Sequence, residues 1–296
     1  MKTSAGSPAL AAPARRWWLA LLLTGPLLAF NPPAAASCVG KPGGRPWRVG
    51  VVPQLPPRQI VSSWQPLLTQ VGQRTGQCFE LVVAPSIPVF EQQLRSGALD
   101  FAFLNPYHQV LAHRWQGFVP LVRDRQPLVG QLVVRQDSAI HRLSDLQGSV
   151  VAFPAPNAFA ASLLPRALLA RDGIAITPRY VRTHSNVYRS VVLGSSQAGG
   201  GVNNTWNRER PEVRRQLRVL WTTPPFPAHP FSASRRVPLA IQQQVQTGFL
   251  QLGASPQGRQ QLAAVQMPHP VQANQGRDYA PLSQLGLERF VVLDGD

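Results

Sequence analysis

The chain has 296 residues, which is enough for two lobes that each bury an apolar core. Its 29 basic residues outnumber its 13 acidic ones, and nearly all of the resulting charge of +16 comes from arginine. These arginines occur singly or in pairs such as Arg214-Arg215, not in the basic stripes typical of nucleic-acid-binding proteins, so we expect no nucleic-acid partner.

The first segment of the chain is typical of an export signal. Arg15 and Arg16 precede an uncharged apolar stretch at 17–30, and three small alanines follow at 34–36. The apolar stretch is too short to stay in a bilayer as an anchor. We therefore predict that residues 1–36 are a cleaved signal peptide and that the protein acts in the periplasm or another extracytoplasmic compartment.

Two cysteines, Cys38 and Cys78, follow this signal. Each lies shortly before a predicted strand, so a disulfide is within reach in an oxidising compartment if the two strands are parallel neighbours. The alternative is a lipid anchor on Cys38, because residues 35–38 resemble a lipobox that lacks its usual leucine. We favour the disulfide and keep the lipoprotein as the alternative.

From residue 48 onward, short apolar runs alternate with amphipathic segments. This alternation favours an α/β fold with parallel-rich sheets flanked by helices. The predicted strands are 48–52, 79–84, 100–104, 118–122, 129–134, 150–153, 179–182, 197–201, 218–222 and 290–293, and the predicted helices are 59–75, 89–96, 107–114, 158–171 and 186–193.

The tail after residue 238 is helical and rich in glutamine, and we expect it to return to the first lobe. The predicted lobe I therefore combines residues 37–130 with 231–296. The predicted lobe II is residues 131–230, so the chain crosses twice between the lobes.

Polar loops follow several of the predicted strands, where the ligands of α/β proteins bind. In one of them Asn157 is predicted to cap a helix, which leaves the backbone amides of Ala158, Phe159 and Ala160 free. Free amides at a helix N-terminus favour an anion.

Three more loops offer neutral polar groups in the same position relative to a strand. They contribute Asn105 and Tyr107, then His184 and Ser185, and then Asn204 and Trp206 after a run of three glycines. A histidine in such a loop can donate to an oxyanion and adds charge if it is protonated. We expect these loops to meet in one cleft.

The sequence lacks the common catalytic motifs, including the Gly-x-Ser-x-Gly, Walker, His-Glu-x-x-His and Cys-x-x-Cys patterns. His108 and His113 are five positions apart, which misses the i,i+4 spacing of a helical metal pair. We therefore expect no enzyme, no metal and no cofactor.

Segments 100–107, 151–165, 183–184, 203–205 and 220–230, in this order, resemble the phosphate/phosphite/phosphonate-binding proteins of ABC importers. The resemblance runs from about residue 48 to about residue 262. It implies a type II periplasmic-binding fold whose two lobes, joined by hinge strands, close on the ligand. It also implies a monomer that captures a small-molecule oxyanion and docks on ABC permease subunits in the inner membrane.

The resemblance assigns roles to single positions. His184 matches the histidine that contacts the oxyanion, and Asn105 with Tyr107 lies at the family's aromatic wall. Ala158, Phe159 and Ala160 stand where the family carries serine and threonine hydroxyls, so only backbone amides remain there.

Trp206 and His229 match the two acidic positions that hold the ammonium of aminoalkylphosphonates. The resemblance therefore implies weak binding of 2-aminoethylphosphonate. It leaves the identity of the anion open, and a ligand-sensing domain that presents an anion to a membrane sensor kinase is the alternative function.

Overall fold

The computed structural model describes residues 38–41 and 43–292, and all of them belong to one compact unit. The predicted signal peptide, residues 1–36, lies outside the described residues. No described helix combines the length and apolar character needed to cross a membrane. The strands are β1 (Val39–Gly40), β2 (Trp47–Val51), β3 (Cys78–Val83), β4 (Phe101–Phe103), β5 (Val119–Asp124), β6 (Gly130–Arg135), β7 (Val150–Phe153), β8 (Thr177–Tyr180), β9 (Ala198–Val202), β10 (Leu217–Thr222), β11 (Pro230–Ala233) and β12 (Pro270–Gln272).

The helices alternate with these strands through most of the chain. The α-helices are α1 (Pro57–Thr75), α2 (Ile87–Arg95), α3 (Pro106–Gln116), α4 (Leu164–Arg171), α5 (His184–Val192), α6 (Asn203–Arg208), α7 (Pro211–Arg214), α8 (Leu239–Ala254) and α9 (Pro256–Ala264). Shorter turns are the 3₁₀ segments Leu143–Leu146, Ala280–Leu285 and Glu288–Phe290 and the π-helical segments Phe159–Leu163 and Gln275–Tyr279.

The first sheet has the spatial order β1-β3-β2-β4-β11-β5-β12. Strand β2 lies between β3 and β4 and is parallel to both, as expected for β-α-β connections through α1 and α2. The later strands β11 and β12 pair antiparallel with β5. The tail helices α8 and α9 pack against this sheet and α1, so the C-terminal part returns to the first lobe.

The second sheet has the order β10-β6-β9-β7-β8, with β7 parallel to both β8 and β9. Two crossings join it to the first sheet: residues 125–129 lead out and residues 223–229 lead back. Leu128 and Phe226 pair antiparallel where these crossings run side by side. We call the parts built on the first and second sheets the first and second lobe.

Cys38 and Cys78 are joined by a disulfide, and their Cα atoms are 5.6 Å apart. The bond forms because β2 and β3 are parallel neighbours and the short strand β1 pairs antiparallel with β3, with Gly40 opposite Cys78. A thioether lipid on Cys38 would need the same sulfur atom that this bond occupies.

The predicted strand at 290–293 is wrong as far as residue 292. Glu288–Phe290 is a 3₁₀ turn, and the segment after it bonds to side chains instead of to a sheet. The carbonyl of Phe290 accepts from Arg166 Nη2 at 2.9 Å, and the amide of Val292 donates to Asn157 Oδ1 at 3.0 Å. These polar partners satisfy the backbone without a neighbouring strand.

The three glycines before Asn203 lie inside β9 and serve packing, not a ligand. A Cβ on Gly200 would overlap the carbonyl oxygen of Ala161 and come within 2.6 Å of the Phe153 ring. The segment that begins at Phe159 therefore lies directly on the strand, which fixes the position of its first amides.

We expect Gly200→Ala to lower the free energy of unfolding by about 1–3 kcal/mol, because the added methyl group overpacks a buried backbone contact. Gly44→Ala is the control, since a Cβ there meets no atom of the described residues within 4 Å. Urea denaturation followed by circular dichroism measures both. Equal stabilities of the two variants would contradict this packing.

Candidate functional site

A small cavity lies where the two lobes and the crossings meet, and we call it the interlobe cavity. Its volume is about 10 Å³, the size of one water-sized sphere. None of the described residues that line it is acidic, lysine or arginine. They are Val52, Gln54, Ile87, Asn105, Leu128, Ala158, Phe159, Ala160, Ala161, His184, Val202 and His229.

Backbone donors enter this cavity from the segment that begins at Phe159. Within the described residues, the amides of Phe159, Ala160 and Ala161 have no hydrogen-bond acceptor. They stand at the start of a continuous helical stretch through Arg171, where partial positive charge collects. Three free amides in a buried cavity are an arrangement suited to an anion.

The predicted amide set is displaced by one residue, and the predicted cap is wrong. Ala158, not Asn157, precedes the first turn, and the Ala158 amide donates to the carbonyl of Ala155 at 3.3 Å. The Ala158 carbonyl accepts from both Ser162 and Leu163, which widens the first turn into a π-helical one. Ala158 itself is one of the residues that line the cavity.

Asn157 is used for a different purpose. Its side-chain amide donates to Glu91 Oε2 at 3.0 Å and to the carbonyl of Val292 at 2.7 Å. Glu91 in turn contacts His108 Nε2 at 2.7 Å. These groups lie behind the cavity wall and connect both lobes with the tail.

His184 opens α5 and is 2% exposed. Its Nδ1 lies 3.1 Å from Thr205 Oγ1 on α6. Burial lowers the pKa of His184 to about 4, so the ring is neutral at physiological pH. The positive charge that a protonated histidine would add is therefore absent, and His184 contributes a neutral ring to the site.

His229 lies at the end of the second crossing and is 4% exposed. Its ring stacks on Phe103 with centroids 5.5 Å apart, and its Nε2 lies 2.6 Å from Gln54 Nε2. Burial, and then the nearby His108 and His184, lower the pKa of His229 to about 3. This second neutral ring occupies the position where the resemblance placed an acid.

Asn105 lines the cavity, but both polar atoms of its side chain already make hydrogen bonds within the protein. Its Oδ1 accepts from the His108 amide at 2.7 Å and thereby caps α3, while its Nδ2 donates to the carbonyl of Asn157 at 3.1 Å. Tyr107 is fully buried and is not among the described lining residues; its ring stacks on Phe159 with centroids 6.3 Å apart. These contacts cross between the lobes and hold them closed.

Ser185, Asn204 and Trp206 do not line the cavity. Successive helical residues point about 100° apart, so Thr205 faces inward while its neighbours Asn204 and Trp206 face elsewhere. Trp206 packs edge-on against Tyr188 with ring centroids 5.5 Å apart, and Asn204 lies in a separate surface groove.

Sequence reasoning missed several lining residues, above all Gln54, and it also missed the contact of Thr205 with His184. Gln54 lies in the loop after the carboxyl end of β2, where the ligands of α/β proteins bind. A search of every loop that follows a strand would therefore have found it. The apolar lining residues Val52, Ile87, Leu128 and Val202 gave no such signal, because they read as ordinary core positions.

The family model for periplasmic substrate-binding proteins of phosphonate ABC transporters matches residues 49–279. The chain belongs to this family. Its members are substrate-binding transport proteins and not enzymes, and they act outside the cytoplasm. The match favours the importer role over the sensory alternative. No curated protein matches the chain in sequence.

Solved structures agree with the two-lobed type II fold. A phosphonate-transporter binding protein of Pseudomonas aeruginosa has a TM-score of 0.74 at 18% identity, with 83% of this chain and 88% of that chain covered. PhnD1 of Prochlorococcus marinus in complex with methylphosphonate has a TM-score of 0.73 at 15% identity, with 81% and 96% covered. XAC2383 of Xanthomonas citri bound to chloride has a TM-score of 0.64 at 23% identity, with 82% and 98% covered.

Proposed function

We propose that this phosphonate-transport binding protein captures a small phosphorus oxyanion in the interlobe cavity, with phosphite or methylphosphonate the best-fitting candidates. The observation that carries the proposal is the set of amides at Phe159, Ala160 and Ala161 that find no acceptor among the described residues, in a cavity whose described lining contains no carboxylate. Buried amides without acceptors are costly, and an oxyanion would satisfy them. The described lining residues are apolar or neutral and polar, so they favour a ligand whose fourth group is a hydrogen or a small alkyl group without charge.

Capture requires an open state. The closed cavity is about 10 Å³, too small for a phosphonate, so the lobes have to separate around the crossings 125–129 and 223–229. The predicted lobes, residues 37–130 plus 231–296 and residues 131–230, would move as the two bodies. The closed, loaded monomer would then dock on the permease subunits.

We further propose that the signal peptide at 1–36 delivers the chain to the periplasm, where the disulfide of Cys38 forms. The disulfide supports an unanchored protein, because it occupies the sulfur that a lipid would modify. Mass spectrometry of the exported protein tests this, since an acyl-modified N-terminal Cys38 would contradict it.

Isothermal titration calorimetry with phosphite, methylphosphonate, phosphate and 2-aminoethylphosphonate tests the ligand class. We expect phosphite or methylphosphonate to bind at micromolar concentrations. 2-Aminoethylphosphonate should bind at least about 100-fold more weakly, because its ammonium finds no carboxylate among the described lining residues and an unpaired buried charge is costly. Tight binding of 2-aminoethylphosphonate would contradict a binding site at these lining residues, where His229 and no acid is found.

A single hydroxyl at the helix start should strengthen binding. Ala160→Ser places an O–H donor beside the free amides, and a hydrogen bond to a charged group stabilises by about 1.5–3 kcal/mol, so we expect at least about a tenfold lower Kd for methylphosphonate. Ala167→Ser, further along the same helical stretch and away from the cavity, is the control. Unchanged affinity in Ala160→Ser would place the anion elsewhere.

A further inference from the structure

The hydrogen positions around His184 follow from one threonine. Thr205 is 4% exposed, and its hydroxyl carries a single hydrogen. Its Oγ1 lies 3.0 Å from the carbonyl of Val202, which can only accept. The hydrogen of Thr205 therefore goes to Val202, and the contacts of Oγ1 with Tyr188 Oη and His184 Nδ1, both 3.1 Å, require these two groups to donate.

His184 thus carries its ring hydrogen on Nδ1, and its Nε2 holds a lone pair. No described residue makes a hydrogen bond to this Nε2, although the ring lines the cavity. The ring stays neutral because it is buried. The ionisable groups around it are Tyr188 on its own helix and His229 on the second crossing, with Glu209 beyond Tyr188 and the His108–Glu91 pair beyond His229.

A hydrogen-bond partner also fixes the tautomer of His229, but this ring is a donor, whereas His184 offers an acceptor. The side-chain amide of Gln54 donates to Nε2 of His229, so the neutral ring of His229 carries its hydrogen on Nδ1. That Nδ1 is buried and has no partner among the described residues. His229 is therefore a neutral donor, as are the amides of Phe159, Ala160 and Ala161.

The cavity accordingly combines several donors with the acceptor Nε2 of His184, to which no described residue makes a hydrogen bond. We propose, on the basis of the proposed function, that it selects a singly protonated oxyanion. The P–OH group of the ligand donates to Nε2 of His184, and the unprotonated oxygens accept from the amides and from His229. Sulfate carries no proton at neutral pH, so it would place an oxygen lone pair against the lone pair of Nε2. Thr205 is the positioning residue that maintains this acceptor.

The pH profile of ligand binding tests the proposal in the unmodified protein. Calorimetry from pH 6 to pH 9 should show the affinity for methylphosphonate falling about tenfold per pH unit above the second ionisation of the ligand, since one proton is required for binding. Sulfate should bind at least about 100-fold more weakly than methylphosphonate at pH 7. An affinity that rises with pH, or equal binding of sulfate, would overturn the selection of a protonated ligand.

Nitrogen NMR of histidine-labelled protein provides an independent readout, with the His184 and His229 signals assigned by substitution. We expect the Nδ1–H tautomer for both rings in the free protein, and an Nε2–H tautomer of His184 would overturn the proposal. If none of phosphite, methylphosphonate and phosphate binds, the proposed function itself fails. Binding with the wrong pH profile overturns only this inference.

Thr205→Val removes the acceptor for Nδ1 while keeping the shape of the side chain. We expect its His184 to move to the Nε2–H tautomer and its preference for methylphosphonate over sulfate to fall at least tenfold. Thr223→Val is the matched control, because Thr223 is similarly buried, at 5% exposed, but among the described residues its hydroxyl has only backbone partners. An unchanged sulfate preference in a folded Thr205→Val would overturn the role of Thr205, and the wild-type measurements decide the proposal if that variant does not fold.

Discussion

Lowering the pH from 7 to 5 is expected to reduce the free energy of unfolding of the ligand-free protein by about 4 kcal/mol through two histidines alone. Burial lowers the pKa of His184 to about 4 and that of His229 to about 3. In the unfolded chain both rings titrate near the ordinary value of about 6.5. As the pH falls below 6.5, both histidines therefore become protonated in the unfolded state but stay neutral in the folded state.

The stability that the neutral rings contribute is present in full above about pH 6.5 and is lost as the pH falls towards the lowered pKa values. Each ring accounts for about 2 kcal/mol between pH 7 and pH 5. Urea denaturation at both pH values measures the loss, and His184→Asn and His229→Asn should each remove about half of it. His141→Asn is the control, because His141 is exposed. Variants at 184 and 229 that keep the full loss would contradict the buried neutral state.

A carboxylate at the helix start is expected to abolish oxyanion binding. Ala160→Asp places a negative charge beside the free amides, where like charges about 4 Å apart repel by about 4 kcal/mol at an effective dielectric constant of 20. This corresponds to an affinity loss of about 1,000-fold. Ala160→Asn is the matched control, because the two side chains have nearly the same size and differ in charge.

Calorimetry at pH 8 should therefore give a methylphosphonate Kd about 1,000-fold higher for Ala160→Asp than for Ala160→Asn. Circular dichroism confirms that both variants are folded before they are compared. A difference of less than about tenfold would show that the anion does not lie at the amides of Phe159, Ala160 and Ala161, and the proposed site would be wrong.

Much of the fold could be predicted because its signals are local. The strands β2, β3, β7 and β9 are short apolar runs bounded by polar turns, and the amphipathic helices between them imply parallel pairing. The prediction of a strand at 290–293 was wrong because the partners of this segment are distant in the sequence. Phe290 and Val292 have the apolar, β-favouring sequence of a strand, but Arg166 and Asn157 from the second lobe supply their hydrogen bonds.

In the candidate site, too, the residues with local sequence signals could be predicted and those that depend on distant partners could not. His184 and the amides near Ala160 could be found because each follows a strand directly. The roles of Asn157 and Thr205 could not be predicted, because they depend on partners far along the chain, such as Glu91 and Val292 for Asn157 and His184 for Thr205. A helical rotation of one residue decided that Thr205, and not Trp206, faces inward.

A crystal structure of the protein with methylphosphonate tests the central claim most directly. We expect the phosphonate group between the lobes, with its oxygens within hydrogen-bond distance of the backbone nitrogens of Phe159, Ala160 and Ala161 and of His184 Nε2. A phosphonate bound at another place, with these nitrogens still lacking a ligand at saturating concentration, would contradict the account.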